Sequence, residues 1–154
     1  MKRTELNRDF YSTFMGYAKD IKAYVKFLDK QEKDTMVKFS RSACLYQIMQ
    51  YYECIGIVMS NYFNKKDTVN IHSSYRKRVE SFSEDKQISK QDKNVLLAIS
   101  KVRNRLIHEP DMSSVEKIRL ESKLIEYFKD EWFLHLVKGF YETYCKNVKP
   151  MQLC

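Results

Sequence analysis

Glycine and proline are scarce in this chain. Three glycines and two prolines occur in 154 residues. All-β folds need many turn residues, so the scarcity of both predicts long helices joined by few turns. No CxxC pair occurs, and no Cys/His spacing matches a zinc site, so no metal is expected. Near Met1 no apolar run is long enough for a signal peptide or a membrane span. Internal repeats, low-complexity tracts and linkers are also missing. What is present is a composition 44 % apolar, with aromatics at 14 % of the chain, on a length that fits one domain with a real core. The formal net charge is +8. A basic surface attracts polyanions such as nucleic acid, although it can also serve solubility alone.

Apolar spacing predicts the helices in turn. Phe10, Phe14, Tyr17, Ile21, Tyr24 and Leu28 form one stripe. Asp34 or Thr35 is placed to cap a second, long helix over about 35–63, marked by Cys44, Ile48, Tyr51, Ile55, Val58 and Tyr62. The two should pack as an antiparallel hairpin. A shorter, more polar helix is expected over 71–84, with a loop in Ser81–Lys90. Ser89 with Asp92 then caps a fourth helix carrying Val95, Ile99, Val102 and Leu106, which should end near His108 because Pro110 follows. Asp111 or Ser113 opens a fifth, with Ser113 and Glu116 as a capping box, marked by Val115, Ile118, Ile125 and Phe128. A sixth carries Phe133, Leu136, Phe140 and Tyr144, and the tail 147–154 should fray. The expected fold is therefore an all-α bundle of five to six helices, one domain over 1–154. Cys44 and Cys54 fall inside the apolar pattern as small hydrophobes, which suits a reducing cytosol. The expected location is cytoplasmic.

The polar cluster worth explaining is "KVRNRLIHEPDM", residues 101–112. On a wheel of 100° per residue, Val95, Ile99, Val102 and Leu106 fall within about 40° of one another. Arg103 and Arg105 flank that face on opposite sides. Asn104 and His108 lie one turn apart on the far side, where their side chains can meet. Leu96, Leu97 and Ile107 also lie off the core face, so the back of this helix should be covered by another helix or a second subunit.

These residue types suit RNA cleavage without a metal or cofactor. The 2′-OH attacks the adjacent phosphorus, and the enzyme supplies a base, an acid and cations. His108 can be base or acid, Arg103 can grip phosphate through its planar fork, and Asn104 can orient His108 or bind a phosphate oxygen. Arg105 could extend the phosphate contact, or pair with Glu109 one turn on. His108 could equally be a helix-terminal residue capping carbonyls. The run Arg76–Lys77–Arg78 reads as a solvated face that could guide RNA. Tyr51, Tyr52 and Tyr62 read as core or interface residues.

"RNRLIH" resembles the Arg-x(4–6)-His motif of the HEPN superfamily, with Arg103 as its arginine, Asn104 as its polar follower and His108 as its histidine. His72 and His135 carry Asp67 and Asp130 five residues earlier, so His108 alone qualifies. The resemblance implies a small helical bundle, commonly dimeric, with metal-independent endoribonuclease activity. It implies RNA as substrate, a homodimer, no membrane partner and, for a toxin or phage-defence effector, an antitoxin or other protein partner. It also implies a supporting acidic residue on an earlier helix. Glu53, the one charge in "QYYECIGIV", is the candidate. Some members are catalytically silent and bind only RNA, nucleotides or partners. In one toxin subgroup a modifiable tyrosine stands two residues after the histidine. Pro110 stands there, so neutralisation by that route is not expected.

Overall fold

The computed structural model describes residues 6–30, 35–66 and 74–145. These residues form an all-helical bundle of six helices: α1 (Arg8–Lys30), α2 (Thr35–Lys66), α3 (Tyr75–Glu84), α4 (Lys90–His108), α5 (Ser114–Glu126) and α6 (Trp132–Tyr144). The expected cap at Asp34 or Thr35, His72 and the tail 147–154 lie outside the residues whose side chains are described.

α2 is the axis of the bundle. It packs against α1, α3 and α5, while α6 lies on α1 and α4 lies on α3 and α5. Its six predicted core residues are all buried, and Tyr52, Cys54, Met59 and Phe63 are buried with them. A helix apolar on several sides is one enclosed by neighbours. It continues three residues past the expected end at residue 63, through Lys66. Early α1 meets late α2, as an antiparallel hairpin requires: Phe14 packs edge-on to Tyr51, and Tyr11 shares a cavity of about 190 Å³ with Val58 and Tyr62. Tyr51 is fully enclosed by aromatic rings from α1, α5–α6 and α6, and its hydroxyl donates to the Phe133 carbonyl oxygen at 2.6 Å. That bond answers the cost of sinking a phenol into the core.

The serine caps predicted at the starts of α4 and α5 form. Ser89 Oγ accepts from the Asp92 N–H and Ser113 Oγ from the Glu116 N–H. α3 begins at Ser74, whose hydroxyl accepts from the Lys77 N–H. The loop expected over 81–90 is shorter, because Phe82 is fully buried and holds Ser81–Glu84 in helix. The turn then passes through Lys86 with φ 58°, the left-handed region.

Three apolar faces are rotated from their predicted centres. In α1 the buried residues are Tyr11, Phe14, Met15, Ala18, Ile21 and Val25, with Phe10, Tyr17, Tyr24 and Leu28 along the margins. In α5 Leu120 and Leu124 turn inward with Ile125 and Phe128, while Val115 and Ile118 face solvent. In α4 the buried residues are Leu96, Ile99, Ser100 and Val102, and Val95 and Leu106 sit at the edge. Leu96, expected on the covered back, belongs to this chain's own core. The shift of α4 moves its inward arc by about 60°, towards Arg103.

Candidate nucleic-acid interface

The rotation of α4 has a direct chemical result. Arg103 is carried inward over α2, while Arg105 is carried outward. The Arg103 guanidinium carbon lies 4.8 Å from the centre of the Tyr52 ring, a cation–π contact. Its Nη2 donates to Glu53 Oε1 at 3.2 Å and its Nη1 to Asn104 Oδ1 at 3.4 Å. The adjacent residues Tyr52 and Glu53 thus hold one guanidinium from below and from the side.

Tyr52 is itself tied down. Its hydroxyl donates to Ser100 Oγ at 3.0 Å, which explains why a serine occupies the buried face of α4. Its ring stacks on Tyr75 of α3 with centres 4.0 Å apart and planes inclined by 15°. The Tyr75 hydroxyl donates to the Tyr52 carbonyl oxygen at 3.4 Å. Burial raises both phenols above their usual range, Tyr75 well above it, so both are neutral donors at ordinary pH. On the far side of the stack, Arg78 lies 5.8 Å from the Tyr75 ring centre, and its Nη1 donates to Ser60 Oγ on α2. The order is arginine, tyrosine, tyrosine, arginine.

This column forms one wall of a groove of about 700 Å³ between α2, α3 and α4. Arg103, Asn104, Glu53, Arg76 and Arg78 all line it. Five of the residues singled out in the sequence therefore meet at one place. Among the described residues Glu53 is its one lining carboxylate, against three arginines. Ser60, Asn61, Asn64 and Ser74 add hydroxyl and amide groups.

The remaining candidates lie elsewhere. His108 ends α4, exposed and outside the groove lining, and Asn104 bonds to Arg103 rather than to it. Lys77 is exposed on α3, and Arg76 pairs with Glu80 at 3.1 Å. Arg105 is held by Glu109 at 2.7 Å and Glu116 at 3.2 Å, the pairing that its spacing allowed. Glu116 also accepts from Nε and Nη2 of Arg119, and these arginines hold its carboxyl down at about 2.

Sequence reasoning did not find Tyr75, Ser60 or Ser100. The available signal was Tyr75 and Arg78 three residues apart on a polar helix, which places both on one face. Among the described residues no group of three or more His, Cys, Asp and Glu is gathered as a metal site would need, and no helix is long and apolar enough to cross a membrane. Burial raises the thiols of Cys44 to about 12 and Cys54 to about 11, which makes them poor nucleophiles. Comparison with known protein families, curated proteins and solved structures found no match.

Proposed function

We propose that this chain is a metal-independent endoribonuclease of HEPN type, working as a homodimer in the cytoplasm as a toxin or phage-defence effector. The observation that carries this reading is the joint placement of Arg103, Asn104 and Glu53 at one basic groove. The motif on α4 and the acid sought on an earlier helix are in direct contact. Asn104 lies on the groove edge and His108 one turn further along the same helix, 40° round the wheel. An RNA strand leaving the groove over Asn104 would bring a phosphodiester to the imidazole.

In the proposed reaction Arg103 binds the non-bridging phosphate oxygens and offsets charge as the phosphorane forms. A base removes the 2′-OH proton, the 2′-oxygen bonds to phosphorus, and the 5′-oxygen departs with a proton from an acid. The products are a 2′,3′-cyclic phosphate and a free 5′-OH. His108 supplies one of these proton transfers, and the His108 of a second subunit the other. The exposed Ile107 beside it, with Val115 and Ile118 on α5, offers apolar surface for that association.

The test is incubation of pure protein with single-stranded and structured RNA in EDTA, beside His108→Ala. His108 is exposed, so the variant should melt within about 2 °C of the wild type. Cleavage with cyclic ends, lost in the variant, is the expected result. Cleavage that survives the substitution would remove His108 from the site.

A second reading has one observation in its favour. No hydrogen bond or ion pair among the described residues orients the His108 imidazole. A catalytically silent module that binds RNA, a nucleotide or a protein partner through the same groove would need no histidine. It would show salt-sensitive binding without turnover.

A further inference from the structure

The three groove arginines differ in what neutralises them. Arg103 has Glu53 and Arg76 has Glu80. Among the described residues no carboxylate bonds to Arg78, whose one polar partner is the Ser60 hydroxyl. Its Nε is shut off from solvent without a partner, as is Nε of Arg103. A half-buried guanidinium without a carboxylate partner is costly to hold, and an anion in the groove it lines is its natural complement. The residues around it are suited to one. Ser74, which caps α3, and Arg76 in the first turn of that helix line the same end of the groove, and the amide dipoles of a helix start favour negative charge.

The Arg78 side chain is also held from two helices. Tyr75 holds the Arg78 guanidinium from one face while Ser60 holds it from α2. Through the Tyr75–Tyr52 stack the Arg78 site is tied to the Arg103 site along a single wall. A volume of about 700 Å³ falls in the ~300–1,000 Å³ range of small-ligand sites. That volume admits one strand of a few nucleotides. The neutral hydroxyls and amides of Asn61, Asn64 and Ser60 suit ribose and base edges.

We infer that Arg78 forms a second phosphate subsite, which holds a single RNA strand by a phosphate further along the strand from the one at Arg103. Arg78 is then a binding residue outside the α4 motif, and the groove selects single-stranded over double-stranded RNA. The inference rests on the groove being an RNA site.

The experiment titrates a fluorescent single-stranded oligoribonucleotide in EDTA, with its 2′-hydroxyls methylated against cleavage, at several salt concentrations. Wild type, Arg78→Gln, Arg78→Lys and Arg103→Gln are compared, each checked for an unchanged melting profile. For Arg78→Gln the expected result is roughly tenfold weaker binding and a log–log salt slope shallower by about 0.7, the value of one single-strand phosphate contact. Arg78→Lys should keep the slope, because the charge remains, and lose a part of the affinity. If Arg78→Gln matches a wild type that binds in affinity and slope while Arg103→Gln binds more weakly, the second subsite is overturned and the groove remains an RNA site. If Arg103→Gln and Arg78→Gln both match a wild type that binds, the RNA site lies elsewhere and both readings fall. If wild type does not bind the single strand, or prefers a duplex of the same sequence, the inference fails with its premise.

Discussion

Arg103 Nη2 and Glu53 Oε1 meet at 3.2 Å across fifty residues of chain, and this contact joins the α4 motif to the central helix. The Arg103 side chain is 24 % exposed and that of Glu53 60 %, so water screens the pair from one side only. Such a pair contributes about 0.2–1 kcal/mol. Glu53→Gln should therefore lower the melting temperature by no more than about 4 °C in calorimetry. It also removes a carboxylate that lines the groove, so binding of a single-stranded oligoribonucleotide should tighten. Weaker binding would mean that Glu53 serves RNA by holding Arg103 in place.

Tyr52 has two roles that substitutions can separate. Tyr52→Phe deletes the donor to Ser100 and leaves a buried hydroxyl to find another partner, at a cost of about 1 kcal/mol. It keeps the ring under Arg103 and the stack on Tyr75, so RNA affinity should stay within twofold. Tyr52→Ala removes both ring contacts and leaves a cavity, at a cost of about 3–5 kcal/mol. Denaturant titration measures both. Equal costs for the two variants would show that the hydroxyl, and not the ring, organises the wall.

Glu116 makes stability depend on acid. Its folded pKa is depressed to about 2 by Arg119 and Arg105, below the ordinary 4.5. The carboxylate therefore stabilises the fold above about pH 5, and the contribution disappears as pH falls towards 2. Melting temperatures of wild type and Glu116→Gln should differ most near pH 6 and converge near pH 2. A difference that does not change across this range would mean that the cluster is not ionic in origin.

Ile107 is 48 % exposed next to His108, and Val115 and Ile118 are 80 % and 51 % exposed on α5. If a second copy covers this end of α4, Ile107→Lys should convert a dimer to a monomer in sedimentation and abolish cleavage with the fold intact. A wild type that sediments as a monomer at tens of micromolar would remove the two-histidine dimer from the proposed mechanism.

Much of the fold is legible in the sequence because its signals are local. Ser89 and Ser113 act through an N–H three residues away, so the starts of α4 and α5 follow from a few positions. Pro110 limits α4 in the same way. The apolar stripe of α2 is wide enough that each predicted core residue is buried whichever way the helix turns. α1, α4 and α5 have narrower faces, and a rotation of half a turn or less decides which residues lie inside. Val115 and Ile118 share a spacing with Ile125, yet α5 buries Leu120 and Leu124 instead.

The candidate site divides along the same line. The sequence by itself determined that Arg103, Asn104 and His108 ride on one helix that ends at His108, and that Glu53 is an isolated charge among apolar neighbours. Covalent spacing and helical period suffice for this. Only the tertiary structure decided that Arg103 turns inward onto Tyr52 and Glu53, that Arg105 turns outward to Glu109 and Glu116, and that Tyr75 and Arg78 complete the wall. These contacts join α2, α3 and α4, and the angle at which α4 settles depends on how Leu96, Ile99 and Ser100 pack against the rest of the bundle. Periodicity along one helix carries no information about that angle, because it is set by the volumes and hydrogen bonds of the other helices.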